Sequence, residues 1–503
     1  MRSSGRMERI VIIGGGISGL SSAFYLQREA AKRGRQTDIT IVDGLPRLGG
    51  KIETLAKDGF VIEKGPDSFL ARKLPIIELT RELGLEDELT TTNPDAKHTY
   101  IFREGTMHPM PPGLMLGIPT DVESFLKSEL ISFGGKLRAT MDLLLPPRKE
   151  QGDESLGGFL ERRLGPEMVD RVAEPLLAGI YAGNLRELSL RATFPQFQKA
   201  EQEHGSLIRG MRRLRGNATP AAAVVPSADS LQPEDRSSGQ SARAAEAGKS
   251  VFITYKNGLG TLVDGLDRAL ADVTRKLGVN VTQIRPGAGA GGGARYSVML
   301  DSGETLAADG IIVTAPAFNA ADLLEEWTDV SALRAVRYVS VANVVMAFEK
   351  TALGLEFDGS GFLVPRSEGM NITACTWTSA KWLHTSPQDK VLLRCYVGRA
   401  GTEQVVDLPD DELIASVRCD VQETMGITAE PLFTEITRLH RSMPQYPVGH
   451  TESTAAFRSM LQERLPGVWV TGAAFDGVGL PDCIRQGKEA AAALLDMLEA
   501  VVH

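Results

Sequence analysis

A short apolar segment near the start of the chain runs directly into a glycine-rich turn. Residues 9–13 read Arg-Ile-Val-Ile-Ile, and they are followed by Gly14, Gly15, Gly16, Ile17, Ser18 and Gly19. In a strand–turn–helix unit of this pattern, the first glycine permits the tight turn, and Gly16 lets the backbone approach a pyrophosphate. Gly19 lets the helix pack closely on the strand. We predict a helix from Ser18 to about Glu29 whose amino end attracts phosphate.

A second apolar strand supports a nucleotide-binding interpretation of this turn. Residues 38–42 read Asp-Ile-Thr-Ile-Val and lead to Asp43. This acid follows the last glycine at close to the interval, about 20 residues, at which an acid contacts a ribose hydroxyl. The pattern predicts a dinucleotide-binding βαβ unit. An ordinary βαβ turn without a ligand is the alternative.

Composition and charge limit the class of protein. The chain has 503 residues, of which 42% are hydrophobic and 24% charged, as expected of a globular protein with two or three domains. The net charge of −9 argues against a general nucleic-acid binder, but it leaves room for a local basic pocket and an anionic substrate. Four cysteines without CxxC or His-paired spacing indicate reduced thiols and no metal site.

The chain shows no signal-peptide pattern and no apolar run of about 18 residues, so we expect a cytoplasmic location. Residues 1–6 are expected to form a disordered leader before Met7. The apolar loop 107–119 is interpreted either as a membrane-facing or partner-facing edge, with at most peripheral membrane contact, or as a lid or core segment.

Hydrophobic periodicity divides the rest of the chain. Helical spacing predicts helices over 122–128, 135–145, 156–164, 166–178, from Asp264 to about Lys276, 410–425 and 483–501. Apolar or alternating runs predict strands over 279–284, 296–300, 310–315, 341–348, 372–377, 391–397 and 468–472. Residues 211–250 are rich in Ala, Ser and Pro and are predicted to be a disordered or mobile insertion. The glycine-rich stretch 286–293 is predicted to be an extended hairpin turn.

Five further blocks carry a resemblance to a known family. The first, Arg47–Lys51, occurs together with the glycine turn in many flavin oxidases, and the block 472–487 also carries the likeness. The runs Glu63–Lys73, Glu174–Gly183 and Met443–His450 are narrower. With these blocks the chain resembles FAD-dependent porphyrinogen oxidases of the amine oxidase and phytoene desaturase group, and is most similar to their soluble Gram-positive branch.

The resemblance implies both an activity and a fold. The implied activity is the oxygen-dependent oxidation of coproporphyrinogen III to coproporphyrin III in haem biosynthesis, with three O2 reduced to H2O2. Protoporphyrinogen IX is implied as a further substrate, and the preference between the two stays open. The implied partners are the anionic porphyrinogen, dioxygen and, transiently, the next enzyme of the pathway. The implied fold is α/β, with a Rossmann-type FAD-binding domain, an α+β substrate domain and an inserted helical subdomain.

The same resemblance divides the chain into segments. FAD-binding parts are expected at 7–92, 251–316 and 451–503. Substrate-domain parts are expected at 93–114 and 317–450, with a helical subdomain at 115–210 and the insertion at 211–250.

Cofactor contacts follow residue by residue from the resemblance. The glycine turn would hold the pyrophosphate of a non-covalent FAD, Asp43 the adenosine ribose, and Val281 the adenine through its backbone. The residues expected near the phosphates and the flavin are Gly50, Lys51, Gly65, Pro66, Asp67 and Ser68. The isoalloxazine ring would meet Val478, Gly479 and Leu480 at the start of the last helix. Cys483 is expected to be structural, although a helix amino end can lower a thiol pKa.

Substrate carboxylates need cations. Arg72 and Lys73 follow the loop Gly65–Ser68, which is expected near the flavin. Both are candidates for substrate binding, and Lys73 is also the candidate catalytic residue. The alternative is that both are solvated surface charges. Weaker candidates for substrate contact are Arg209, Arg366 and His450, with Tyr446 and Tyr181 as stacking rings or, alternatively, core tyrosines. No general base is evident. The segment 95–103 lacks the arginine that plant and animal members place before the strand, which is consistent with a different anion site.

Other functions are compatible with the same scaffold. An amine oxidase usually binds its substrate in an aromatic cage, and a chain with only 6% aromatic residues has few side chains to form one. A carotenoid desaturase would favour a more apolar lining and membrane attachment. A nucleotide-binding scaffold that senses redox state or shuttles porphyrin is the non-enzymatic alternative. The sequence leaves the oligomeric state open.

Overall fold

The computed structural model describes residues 7–150, 152–216, 251–287 and 293–500. The predicted leader 1–6, most of the predicted insertion (217–250), the centre of the predicted hairpin turn (288–292) and the last three residues lie outside the described residues. Residues 211–216 were assigned to the insertion, and this assignment is wrong. They form the last turns of the helix Leu207–Gly216, whose Leu207, Ile208 and Met211 are buried.

A parallel five-stranded sheet lies at the centre of one half of the molecule. Its strands, in spatial order, are Thr274–Leu277, Thr37–Asp43, Glu8–Ile13, Gly310–Val313 and Val468–Val470. Ile12 lies beside Ile41 on one side and Ile312 on the other. Strands covered on both faces need continuous apolar runs, and this is why the sequence shows them as such. The helices Ile17–Lys32 and Leu480–Ala500 pack on the sheet through one shared apolar core.

One predicted helix is too long. The helix covers Gly260–Ala269, whereas helical spacing predicted a helix that begins after Asp264 and continues to about Lys276. Residues Thr274–Leu277 instead pair in parallel register with Thr40–Asp43. Strand pairing at the sheet edge therefore overrides the local helical pattern.

A seven-stranded sheet forms the second half of the molecule. In spatial order its strands are Phe433–Gln445, Arg337–Glu349, Lys390–Val397, Ile372–Trp377, Gly359–Leu363, His98–Arg103 and Thr106–Pro109. One face packs on the helix Asp410–Met425 through Leu413, Val417 and Val421. The other face meets Phe60 and Ile62 of the hairpin that joins Thr54–Lys57 to Phe60–Glu63. The predicted strands at 341–348, 372–377 and 391–397 are confirmed.

Three further short sheets are found in the described part of the chain. Phe252–Tyr255 lies between Phe69–Leu70 and Leu89–Thr91, and Val281–Pro286, Tyr296–Leu300 and Thr305–Ala308 form an antiparallel meander. Leu114–Met115 pairs with Ile118–Pro119. The remaining helices outside the segment 122–216 are Leu74–Glu82, Glu86–Glu88, Ala317–Leu324, Ser331–Arg334, Lys350–Leu353, Arg366–Glu368, Thr378–Lys381, Glu403–Asp407 and His450–Arg464.

Residues 122–216 form a helical layer with its own apolar core. Its helices are Val122–Leu126, Phe133–Thr140, Met141–Leu143, Leu156–Leu164, Pro166–Met168, Val169–Ala173, Glu174–Tyr181, Leu190–Thr193, Pro195–His204 and Leu207–Gly216. The predicted helix 166–178 contains a π-helical turn at Val169–Ala173. Pro175 lacks the N–H that would continue the regular ladder, and this explains the wider turn. No helix in the described part of the chain is both long and apolar enough to cross a membrane.

These layers confirm the predicted fold class. A parallel sheet with helices on its faces, a mixed seven-stranded sheet and a helical layer together give an α/β protein with a Rossmann-type domain. The parallel sheet takes its strands from three separated parts of the chain, so both ends of the sequence meet at it.

Candidate active site

Two glycines of the amino-terminal turn are required by the protein itself. Gly14 has a φ of +112°, and a Cβ there would lie 2.4 Å from the Thr314 hydroxyl. A Cβ on Gly19 would lie 1.8 Å from the Gly14 carbonyl oxygen. These contacts force the strand, turn and helix into close packing, as the motif predicts.

Gly16 differs from both of these glycines. Its φ is −73°, which any residue adopts, and a Cβ there would meet no atom nearer than Gly50 Cα at 3.9 Å. Gly16 is also the N-cap of the helix Ile17–Lys32, and it offers no side chain to the first-turn amides of Ile17 and Ser18. A Cβ at Gly16 would meet no clash, and the helix amides that follow it carry no side-chain cap, so the residues present fit the pyrophosphate of a dinucleotide cofactor.

The adenosine end of the predicted site is built around Asp43. Its carboxylate accepts hydrogen bonds from the amides of Gly15 at 2.5 Å and Leu45 at 2.7 Å. Its carbonyl accepts from Val279 N at 3.2 Å, which brings the strand that begins at Val281 alongside. The structure thus places Asp43 and Val281 in one neighbourhood, at the end of the turn where the sequence predicted ribose and adenine.

A second glycine-rich segment lies against the first. Gly49 N donates to Gly15 O at 2.9 Å, and Gly49 and Gly50 have φ values of +96° and +58°. Lys51 extends from this turn, and although the residue as a whole is exposed, its Nζ lies against the protein and donates to the Ser442 carbonyl on the edge strand of the seven-stranded sheet. Protein surrounds the ammonium group, and this desolvation lowers the pKa of Lys51. Lys51 therefore bridges the two halves beside the glycine turns.

The loop Gly65–Ser68 is held from both sides. A Cβ on Gly65 would lie 1.8 Å from the Lys51 carbonyl. The Asn343 amide donates to the Lys64 carbonyl at 3.0 Å, and the buried Arg394 guanidinium donates to the Gly65 carbonyl. Pro66, Asp67 and Ser68 are half-buried in this loop.

Asp67 is the charged residue of this loop. It accepts from Ser68 Oγ at 2.7 Å, and Lys381 Nζ lies 3.6 Å from its carboxylate. Burial raises the pKa of Asp67, but the opposing charges of Lys381 and Arg394 outweigh burial and hold it below its usual value. The loop therefore presents an ionised carboxylate that is already compensated by two cations.

Glu63, at the start of the same loop, is a protonation site. Its carboxylate accepts from Leu259 N at 2.5 Å and Thr54 Oγ1 at 2.9 Å, and burial raises its pKa to about 7. Because its folded-state pKa lies above its unfolded value, the folded state binds the proton more tightly, and stability falls as the pH rises between these two values.

We predict that Glu63→Gln removes this pH dependence. Between about pH 5 and pH 8 the wild-type free energy of unfolding should fall by about 1–3 kcal/mol relative to the variant. Chemical denaturation at a series of pH values measures this difference. Glu304→Gln, at an exposed surface acid, serves as the control and should follow the wild type. Parallel wild-type and Glu63→Gln profiles would contradict the assignment.

The last helix returns to the glycine turn from the other end of the sequence. Thr471 N donates to Val313 O at 3.0 Å, and a Cβ on Gly487 would lie 2.8 Å from the Ser18 carbonyl. Val478, Gly479 and Leu480 are half-buried where the helix Leu480–Ala500 begins. Burial raises the pKa of Cys483 to about 11, so the helix amino end does not lower it.

Of the two predicted cations, Lys73 lies beside this helix start, and Arg72 precedes it in the chain. Lys73 Nζ lies 2.6 Å from Asp482 Oδ1, and the two side chains are 17% and 20% exposed. Burial lowers the pKa of Arg72 to about 10. Since Asp482 is two residues past Leu480, the ion pair joins the Arg72–Lys73 segment to the turn predicted to meet the flavin ring.

Tyr446 and His450 are packed into the core, in place of the predicted substrate contact. Their rings stack at 4.4 Å with an interplanar angle of 7°, and both residues are at most 2% exposed. Tyr446 donates to Ala473 O at 2.6 Å, and His450 Nε2 lies 3.1 Å from Phe475 O. Burial lowers the pKa of His450, which disfavours the cation that a carboxylate would need.

The three remaining candidates of the sequence also have other surroundings. Tyr181 is buried and stands edge-on to Tyr446. Arg366 is paired with Glu174 and donates to the carbonyls of Ala400 and Gly183. Arg209 is exposed on the helix Leu207–Gly216.

Sequence reasoning missed three residues of this region: Asp482, Asn343 and Arg394. Asp482 stands inside the quoted block 472–487, and its spacing from Leu480 on one helix was an available signal. Arg394 interrupts the apolar run of the strand Lys390–Val397, and a charge within a buried strand indicates a specific partner. No local pattern distinguishes Asn343.

Comparisons with known proteins agree with this geometry. The flavin containing amine oxidoreductase family matches residues 17–495. The coproporphyrinogen III oxidase of Bacillus subtilis (strain 168) is 44% identical, covering 98% of each chain. The enzyme of the same name from Staphylococcus aureus (strain NCTC 8325 / PS 47) is 37% identical, covering 96% of this chain and 98% of its own.

A solved structure gives the same result. A crystal structure from Exiguobacterium sp. 255-15, provisionally assigned as a protoporphyrinogen oxidase, superposes with a TM-score of 0.83 at 34% identity, covering 98% of this chain and 99% of its own. The chain therefore belongs to the flavin containing amine oxidoreductase family, and its cofactor is a flavin.

Proposed function

We propose that this protein oxidises coproporphyrinogen III to coproporphyrin III with a non-covalent FAD and dioxygen. The observation that carries the proposal is the placement of Lys73 beside the Val478–Leu480 turn, through the 2.6 Å contact between Lys73 and Asp482; Arg72 is its neighbour in the chain. Half-buried cations at a flavin site favour an anionic substrate. Two relatives that match nearly the full chain carry the name coproporphyrinogen III oxidase.

The chain offers a continuous set of contacts for FAD. The open space at Gly16 and the first-turn amides of Ile17 and Ser18 would take the pyrophosphate, and the Asp43 neighbourhood the adenosine. When bound, the flavin supplies a two-electron acceptor for hydride removed from carbon. Lys51 and the loop Gly65–Ser68 enclose this region and limit the access of water.

On the substrate side, Lys73 and Arg72 act as binding and orienting groups. The Lys73 ammonium is fixed by Asp482, so little side-chain entropy is lost when it meets a carboxylate. Burial of Arg72 strengthens its attraction for an anion because the local dielectric constant is low. These residues orient the macrocycle for three successive two-electron steps, each of which reduces one O2 to H2O2.

Aerobic turnover tests the proposal. The purified yellow protein is incubated separately with coproporphyrinogen III and protoporphyrinogen IX, and porphyrin fluorescence and peroxide are recorded against a heat-inactivated control. We expect faster oxidation of coproporphyrinogen III, with about three peroxides formed per porphyrin. Acid precipitation should release the flavin into the supernatant, as required of non-covalent FAD. Oxidation of neither porphyrinogen above the control rate would refute the activity.

A further inference from the structure

Two cysteines face each other inside the seven-stranded sheet. Cys375 in the strand Ile372–Trp377 lies directly opposite Cys395 in the strand Lys390–Val397, and the strands are antiparallel. Their sulfur atoms are 3.7 Å apart, and Cys395 donates to Cys375. Opposite residues of antiparallel strands have Cα atoms about 4.5–5.5 Å apart, within the range that a disulfide spans. The pairing of the two cysteines is therefore compatible with a disulfide between them.

The surroundings of the two cysteines shield them from solvent. Both cysteines are at most 1% exposed, in the apolar core under the helix Asp410–Met425. The hydrogen bond from Cys395 and burial raise the pKa of the Cys375 thiol. Such thiols react slowly, so only a sustained local source of oxidant would convert them.

We propose that Cys375 and Cys395 form a redox pair that closes to an intramolecular disulfide on reaction with hydrogen peroxide. The supply of peroxide during turnover rests on the proposed function, but the chemistry of the pair does not. No other contact between two cysteine sulfurs is found among the described residues.

The chemistry balances with peroxide as the oxidant. One cysteine sulfur attacks a peroxide oxygen, the O–O bond breaks, and a sulfenic acid and one water form. The second sulfur then displaces the hydroxyl of the sulfenic acid, the S–S bond forms, and the two thiol protons leave in the two waters. Two thiols are oxidised to one disulfide, and one peroxide is reduced to two waters.

The link to the active site is one residue away. Arg394 precedes Cys395 on the same strand, and successive side chains of a strand point to opposite faces. Arg394 therefore holds the Gly65 carbonyl on one face while Cys395 faces the core on the other. A covalent bond at Cys395 fixes the strand segment that carries Arg394.

The test uses the holoenzyme without substrate. The protein is titrated with hydrogen peroxide, alkylated in denaturant and analysed by peptide mass spectrometry. The expected result is a Cys375–Cys395 cross-linked peptide about 2 Da lighter than the two thiol peptides, which disappears with dithiothreitol. Cys419→Ala, which removes an exposed thiol, should give the same cross-link. Cys375→Ala should not.

One result overturns the proposal. If the exposed Cys419 is oxidised while Cys375 and Cys395 both stay alkylatable, the pair is not a redox site. This result is read from wild-type protein, so it does not depend on the folding of a variant. A second arm uses aerobic coproporphyrinogen III with and without catalase. A cross-link that catalase suppresses supports the pair, whereas turnover that forms peroxide but no cross-link rejects it. A protein that fails to oxidise the porphyrinogen refutes the proposed function and leaves the peroxide titration to decide the pair.

Discussion

Gly16→Val should purify as a folded, colourless protein. The Cβ of the valine would lie 3.9 Å from Gly50 Cα, an ordinary van der Waals distance, so the fold tolerates a Cβ at this position. The same space is where the glycine motif places a pyrophosphate, and a branched side chain there should weaken FAD binding by at least about 100-fold, or about 2.7 kcal/mol. Flavin absorbance of the purified protein and titration of the apoprotein with FAD measure the loss.

Gly19→Ala provides the matched control in the same turn. Its Cβ would lie 1.8 Å from a backbone carbonyl, so this variant should fail to fold, with or without added FAD. The two variants thus distinguish two roles: Gly16 is required for ligand binding, and Gly19 is required for packing of the helix on the turn. A Gly16→Val protein that retains bound flavin would contradict the pyrophosphate assignment.

Lys73→Ala should retain flavin and lose turnover. The variant removes an ammonium group proposed to meet a substrate carboxylate, and we expect kcat/KM for coproporphyrinogen III to fall by about 100-fold, or about 2.7 kcal/mol. The half-buried Asp482 would lose its partner, so a modest loss of thermal stability of about 1 kcal/mol is also expected. Steady-state kinetics at equal flavin content measure the effect.

Lys488→Ala is the control for the loss of a lysine ion pair. Lys488 lies 3.2 Å from Glu78, and both side chains are more than 40% exposed. This variant should keep wild-type kinetics because the pair lies on the surface. Loss of flavin from Lys73→Ala during purification, or unchanged turnover, would reject the substrate role of Lys73.

Local sequence patterns were sufficient to predict the strands that consist of a continuous apolar run. The apolar runs 10–13 and 468–472 fall on strands of the parallel sheet because such strands are covered on both faces. The glycine turn was predictable in detail, because a Cβ at Gly14 or Gly19 would clash with neighbouring atoms, and the motif places glycine at both positions for this reason. The predicted cofactor contacts stay predictions, although the structure gathers most of these residues at adjoining turns.

Tertiary pairing decides what local patterns cannot. Residues 274–277 carry a helical pattern, yet they join the sheet because its edge offers backbone partners. Tyr446 and His450 stand in a block typical of the family, but their burial shows only when the strand Phe433–Gln445 and the helix His450–Arg464 are packed. The partners of Lys73 and Gly65 come from positions several hundred residues away, and no sequence spacing reports such distances.

The double anchoring of the loop at Lys64 and Gly65 has a thermodynamic consequence. The side chains that hold these carbonyls, Asn343 and Arg394, belong to adjacent central strands of the seven-stranded sheet. A ligand that rests on the loop therefore also stabilises the sheet, because the loop cannot loosen without breaking bonds to two strands. Binding of the cofactor and the stability of the seven-stranded sheet are therefore thermodynamically linked. Removal of the cofactor is expected to weaken both halves of the molecule.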